Sequence, residues 1–322
     1  MPDILFWSLI FILTLVTLIF SADFFIKASE RIGLAVGIPP FIVGVTLIAM
    51  GTSLPELVTS LVAILGDPPN SEIILGNVVG SNIANICLVL AIVGILGNKI
   101  TLQFDVMRVD MPMVLGAAFI LFVCVMDGDF SLFEGIICLA GMVVYLIYVL
   151  QLGRNEEASS LGIDVPDEES KQIVSWKEPV ILLISSTIIY FSAEYNVQAI
   201  VHLSEIMDVG KELIALTAVS IGTSLPELVV SIVAVRMGNG EMAVGNVLGS
   251  NIFNVFAVMG IPRLFGDIIV PASILEFSIP VMLIASLLFF FVVLDREVNR
   301  WEGFVLLLLY FLFMGNLIGI YI

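Results

Sequence analysis

Long stretches of the chain occur twice. "LIAMGTSLPELVTSLVA" at 47–63 aligns with "TAVSIGTSLPELVVSIVA" at 217–234, and "SADFF" at 21–25 with "SAEYN" at 192–196, both at an offset of 171 residues. "GNVVGSNIANI" at 76–86 returns as "GNVLGSNIFNV" at 245–255, now at an offset of 169. The chain is therefore read as a duplication that lost two residues in a loop. What the duplication means depends on the medium. The 322 residues are 60% hydrophobic and 13% charged, with a mean hydropathy of +1.14. That leaves too little charge to clothe a soluble surface. A hydrocarbon core of about 30 Å asks for about 20 apolar residues per helix. Charged and Gly/Pro-rich breaks leave ten such stretches: 5–26, 40–65, 72–96, 109–126, 134–152, 179–200, 213–235, 242–262, 274–294 and 301–320. Five spans separate equivalent points of the two copies. Five is odd, so the second copy enters the membrane upside down.

The expected fold is thus all-α and polytopic, with ten transmembrane helices in two inverted five-helix repeats. The first repeat covers 1–152, with its motif region at 44–90. A polar, acidic linker at 153–178 follows, and the second repeat covers 179–322, with its motif region at 215–259. The first span is too long for a signal h-region and lacks a basic flank, so it is kept as structure. Lys and Arg set the orientation. With the N-terminus outside, ten of the twelve basic residues fall on one face and only Lys211 and Arg263 on the other. Both termini are accordingly expected outside a cell (inner) membrane and the linker in the cytosol. The net charge of −17 excludes a nucleic-acid partner, which would need a basic patch. No obligate protein partner is inferred. The outer loops carry Asp67, Glu72, Asp127, Asp129, Glu134, Glu205, Asp208 and Asp267, read as solvated loop residues or a cation-attracting vestibule. Cys87, Cys124 and Cys138 lie within spans, as buried apolar cysteines do. His202 sits at a span end without a special role.

Inverted repeats are typical of secondary transporters, whose substrate sites lie near the midplane where the halves meet. The repeated motifs indicate what such a site would hold. In GTSLPE, Pro55 has no N–H and its ring clashes with the carbonyl four residues back, which frees backbone oxygens at Gly51 and Thr52. Thr52 and Ser53 precede Glu56 by four and three residues and share its helix face. Thr223, Ser224, Pro226 and Glu227 repeat the set. This all-oxygen cluster suits hard cations such as Na⁺ and Ca²⁺ and not a soft transition metal. Residues 32–98 contain no Lys or Arg, and 212–262 contain only Arg236. An intramembrane acid costs on the order of 3 kcal/mol. Without a counter-ion from the chain, protonation or a bound cation must compensate it. Two such acids match the charge of one Ca²⁺.

In GNxxGSNxxN, Gly76 and Gly80, with Gly245 and Gly249, present small faces for close helix approach. Ser81 and Asn85, with Ser250 and Asn254, place a hydroxyl and an amide on one face. Asn77, Asn82, Asn246 and Asn251 are read as interhelical hydrogen-bond groups. Thr59, Ser60 and Ser231 are expected to bond back to their own helix. Asp23 and Glu194 are read as interfacial or water-lined and not as ion ligands.

These residues carry a resemblance. "GTSLPE" with "GSNIANI", then "GTSLPE" with "GSNIFNV", resemble the two alpha-repeats of the calcium:cation antiporter superfamily, near its prokaryotic Na⁺/Ca²⁺ exchanger branch, over nearly the whole chain. The resemblance implies ligands from spans two, three, seven and eight. Glu56 and Glu227 would bind both Ca²⁺ and Na⁺. Thr52 and Thr223 would contribute carbonyls, and Ser53 and Ser224 hydroxyls. Ser81, Ser250 and Asn85 would complete the Na⁺ sites. One position departs: some relatives, including potassium-dependent exchangers, carry Asp where this chain has Asn254, which argues against K⁺ co-transport.

An empty site with two negative charges would resist crossing a low dielectric, whereas a site loaded with Ca²⁺ or Na⁺ is compensated. The expected activity is secondary antiport of Na⁺ against Ca²⁺, with the Na⁺ gradient driving Ca²⁺ out. The transported ions are cargo, and no cofactor is expected. The alternative within the class is H⁺/Ca²⁺ exchange, and from another class a cation channel. An enzyme would need a nucleophile–base pair or metal motif, and no Ser/His arrangement or HExxH occurs.

Overall fold

Apolar stretches bounded by charge, Gly and Pro become helices because, away from water, only a helix satisfies its own backbone within one segment. A computed structural model describes residues 2–36, 39–66, 71–152, 175–206 and 224–317. Its spans are α1 (Pro2–Val36), α2 (Pro40–Leu65), α3 (Ile73–Gly97), α4 (Asp110–Val125), α5 (Leu132–Leu152), α6 (Lys177–Ile206), α7 (Leu225–Arg236), α8 (Gly240–Arg263), α9 (Ile274–Val292) and α10 (Arg300–Leu317). Eight of them are long and apolar enough to cross a bilayer, and α4 is a shorter apolar helix of 16 residues. The first half of the seventh expected span lies outside the described residues, as does most of the linker expected at 153–178. α1 outruns its expected end at 26 by ten residues, carrying Lys27 and Arg31 on its final turns.

Four short strands reveal the inversion. β1 (Lys99–Thr101) follows α3 and pairs antiparallel with β4 (Glu297–Asn299), which precedes α10. β2 (Asp129–Phe130) follows α4 and pairs with β3 (Ile268–Ile269), which follows α8. Adding 169 to Lys99 and Ile100 gives the positions of β3, and adding 168 to β2 gives residues of β4. Each ribbon is the image of the other. They lie one span apart in the first half, hence at opposite ends of the bundle. Ion pairs tie the loops around them: Lys99–Glu297 at 2.7 Å, Arg296–Asp105 at 2.6 Å and Arg263–Asp267 at 2.8 Å. Arg263 also donates from Nε to the Phe130 carbonyl, at 2.7 Å.

α3 and α8 form the buried centre. α8 packs along the first half of α2, and the sequence permits that approach at its glycines. A Cβ at Gly245 would come within 2.5 Å of the Phe41 carbonyl, and one at Gly249 would overlap the Val45 carbonyl. The same stripe in the first repeat does not meet a backbone among the described residues: Gly76 faces only Ile274, and Gly80 has nothing described within 4 Å. α1 lies along α6 for most of its length and touches α2 and α7 more lightly. Its outer face presents Leu5, Phe6, Leu9, Leu13, Phe20 and Phe24. At one end of this pair Trp7 and His202 stack at 4.0 Å, so His202 contributes to the joint between α1 and α6. The three cysteines are buried and free. A carboxylate that the sequence did not single out, Asp110, is fully buried where α4 begins and accepts hydrogen bonds from Tyr148, at 3.0 Å, and Tyr145, at 3.4 Å, on α5.

Candidate functional site

The first GTSLPE segment bends as a proline two residues ahead requires. α2 is interrupted at Ser53, with φ −90° and ψ 4°, and α7 begins at the equivalent Ser224, with φ −89° and ψ 4°. Each serine carbonyl still accepts the amide four residues on, from Leu57 at 3.3 Å and Leu228 at 3.0 Å. Glu56 and Glu227 lie in the centre, both without solvent exposure. Among the described residues no ion pair involves either acid. Ser81 donates to Glu56 Oε1 at 3.2 Å, and Ser53 donates to Glu227 Oε1 at 3.0 Å. The second oxygen of each carboxylate, Oε2, has no partner among the described residues.

The GNxxGSNxxN segments cross beside these acids. Asn85 and Asn254 each open a π-helical turn, Asn85–Leu90 on α3 and Asn254–Val258 on α8. Such bulges widen a helix locally and re-aim side chains, and they recur at functional positions. Asn254 donates from Nδ2 to Ser81 Oγ and to Asn82 Oδ1, both at 3.1 Å, and its Oδ1 is unpartnered. Ser224 contacts Ser81 at 3.4 Å. Asn85 has no partner on either amide atom, and Ser250 Oγ has none. All of these groups are buried. A buried cluster that leaves two carboxylate oxygens, two amide oxygens and a hydroxyl without partners among the described residues is short of positive charge, which hard cations supply.

Hydrogen bonds link Ser53 with Glu227, and Glu56, Ser81, Ser224 and Asn254 with one another, while Thr52, Asn85 and Ser250 are buried on the same helices. Thr223 lies outside the described residues. Thr52 bonds back toward Ile48 and reaches Asn246 Oδ1 at 3.2 Å, while Asn246 Nδ2 donates to Ser231 at 3.0 Å. On the other side Asn77 donates to the Glu56 carbonyl at 3.3 Å and Ser60 at 3.4 Å. Ser60 and Ser231 accept from an asparagine of the next span, and among the described residues neither shows the expected bond back to its own helix. The sequence offered Asn77 and Asn246 as repeat-equivalent hydrogen-bond groups but not which hydroxyls they would meet. Asp23 pairs with Lys27 at 2.7 Å, and Glu194 is exposed and accepts from Gln198, so neither enters the cluster.

A sequence profile described as Sodium/calcium exchanger protein matches residues 6–151 and 177–319. The chain is 31% identical over 341 residues to Sodium/calcium exchanger MaX1 of Methanosarcina acetivorans, covering 95% of this chain and 97% of that one. It is 32% identical over 302 residues to Inner membrane protein YrbG of Escherichia coli, covering 92% and 91%. The fold superposes on the sodium-calcium exchanger NCX_Mj soaked with 2.5 mM Na⁺ and 10 mM Sr²⁺ with a TM-score of 0.82 and 29% identity, over 97% of this chain and 99% of that one. It also superposes on NCX_Mj soaked with zero Na⁺ and Ca²⁺, with a TM-score of 0.78. The chain is a multi-pass membrane protein and belongs to the sodium/calcium exchanger family.

Proposed function

We propose that the protein is an antiporter that exchanges Na⁺ for Ca²⁺ by alternating access, with the Na⁺ gradient driving Ca²⁺ extrusion. One observation carries this reading: two fully buried glutamates on opposite repeats, each with an unpartnered oxygen and neither with a basic partner among the described residues. Glu56 and Glu227 hold the cargo. Ca²⁺ takes six to eight oxygens, and two carboxylates balance its charge. The backbone oxygens at Thr52 and Thr223 and the hydroxyls of Ser53 and Ser224 extend the shell. Ser81, Asn85, Ser250 and Asn254 add neutral oxygens that suit Na⁺. Because Na⁺ and Ca²⁺ compete for the same two acids, loading one ejects the other.

The amide at Asn254 supplies no charge, so two acids alone set the balance and K⁺ is not required. The pair α1–α6, joined to itself more extensively than to the remaining helices, is the body that moves to change which side reaches the site. The termini lie outside and the 153–178 segment in the cytosol, following the distribution of Lys and Arg. Purified protein in proteoliposomes tests the reading through Ca²⁺ flux under imposed Na⁺, K⁺ or H⁺ gradients. Flux driven by Na⁺ is expected. Flux that follows only a pH gradient would make the proton the counter-ion, and channel-like flux without any counter-ion would reject a carrier.

A further inference from the structure

The two copies of the GSNxxN segment do not do the same thing in this structure. Asn82 reaches across in both directions. Its Oδ1 accepts from Asn254 Nδ2 at 3.1 Å, and its Nδ2 donates to the Asn251 carbonyl at 3.3 Å. The repeat equivalent of Asn82 is Asn251, which turns back onto its own helix, donating to the Val247 carbonyl at 2.6 Å, and leaves Oδ1 unpartnered. The repeat equivalent of Asn254 is Asn85, whose side chain has no partner among the described residues. The serines differ likewise: Ser81 receives Asn254 and donates to Glu56, while Ser250 Oγ is idle. One repeat-crossing set is engaged and its image is open. All six side chains are at most 3% exposed, so bulk water does not satisfy the open set.

Unpaired amide atoms in a buried centre are costly, and two of them here, Asn85 Nδ2 and Asn251 Oδ1, are repeat images of atoms that are paired, as is the idle Ser250 hydroxyl. The image of the engaged arrangement would pair them. Asn85 Nδ2 would donate to Asn251 Oδ1 and to Ser250 Oγ, and Ser250 would donate to Glu227. In a transporter built of inverted repeats, the two facing states arise as the halves exchange conformations around a fixed site. We propose that Asn82 and Asn251 are positioning residues of a reciprocal clasp: Asn82 holds Asn254 in the state seen here, and Asn251 holds Asn85 in its inverted image, the state that faces the other side. The clasp decides which serine orients each glutamate: Ser81 on Glu56 and Ser53 on Glu227 here, Ser224 on Glu56 and Ser250 on Glu227 in the image. This rests on the antiport reading above and adds to it the residues that distinguish its two states.

The test uses the full chain in proteoliposomes of uniform orientation. Initial Ca²⁺ flux is measured with Ca²⁺ presented first at one face and then at the other, using whichever counter-ion drives the wild type. The quantity read is the ratio of the two half-saturating Ca²⁺ concentrations. Asn82→Ala and Asn251→Ala should each move that ratio by about fivefold, in opposite directions, since each removes one buried hydrogen-bonding group from one state. The double variant should return close to the wild-type ratio, because equal and opposite biases cancel. Should either alanine variant fail to fold, Asn82→Ser and Asn251→Ser replace them with the same expected outcomes, their side chains being too short to span the gap. Loss of flux with an unmoved ratio, or shifts in the same direction, would overturn the clasp and leave both residues as helix-packing groups. Wild-type protein whose Ca²⁺ flux ignores Na⁺ would overturn the antiport reading separately.

Discussion

Glu56 and Glu227 have opposite neighbours and equal burial, so neither is a spare. Glu56→Gln or Glu227→Gln removes half the charge that balances Ca²⁺, and each is expected to weaken Ca²⁺ binding about a hundredfold or more in a calorimetric titration. The same variants should melt no lower without ions, since replacing a buried charge by its neutral isostere relieves a desolvation penalty. Unchanged Ca²⁺ affinity in either would remove that residue from the site. Asn254→Asp tests the neutral position. An amide donates to Ser81 and Asn82, and a protonated acid can still donate one of those bonds, whereas an ionised acid would oppose the Asn82 oxygen. Transport by this variant is therefore expected to fall as pH rises unless an added cation such as K⁺ restores it. Flux–pH curves with and without K⁺ check this, and curves identical to the wild type would place Asn254 away from the ions. The buried polar cluster was legible in the sequence because a polar residue duplicated inside an apolar span demands a reason. The partners of Ser60 and Ser231 were not, since interhelical contact at those positions depends on how the spans cross.

Among the elements, α8 depends most on the absence of side chains. Gly249→Ala puts a Cβ onto the Val45 carbonyl and within 2.7 Å of Ala49, a backbone contact that cannot rotate away. A destabilisation of about 1–3 kcal/mol is expected, seen as a lower melting temperature in detergent. Gly116→Ala on α4, where nothing lies within 4 Å, is the matched substitution and should leave the melting temperature unchanged or raised. The break in α2 could be read from Pro55, and spans 40–65, 72–96 and 274–294 were bounded to within two residues. The π-helical turns at Gly44–Ile48, Asn85–Leu90, Asn254–Val258 and Ile274–Ser278 could not be read. One extra residue in a turn leaves no mark on a stretch that is apolar all round. Four strands of two or three residues were equally hidden, because their pairing is set by where distant loops end.

On the scale of the whole molecule, the motion assigned to α1 and α6 has a direct check. Glu30 on α1 accepts a hydrogen bond from Asn239, in the loop between α7 and α8, at 3.4 Å. Cross-linking Glu30→Cys to Asn239→Cys joins the pair to the rest of the bundle and is expected to arrest Ca²⁺ flux until reductant is added. Cross-linking Trp7→Cys to His202→Cys stays within the pair and should leave flux intact. Arrest by both, or by neither, would show that the pair does not move as one body. The inverted arrangement itself was legible, since an odd number of spans between copies admits no other. The two ribbons carry a consequence of their own. Each takes one strand from either side of the 153–178 segment, so the halves are stitched together at both ends of the bundle by non-covalent pairing. A chain severed within that segment and produced as two polypeptides should reassemble into a working exchanger. Its interface is of the kind that relates the subunits of a two-fold dimer, with the axis lying in the plane of the membrane.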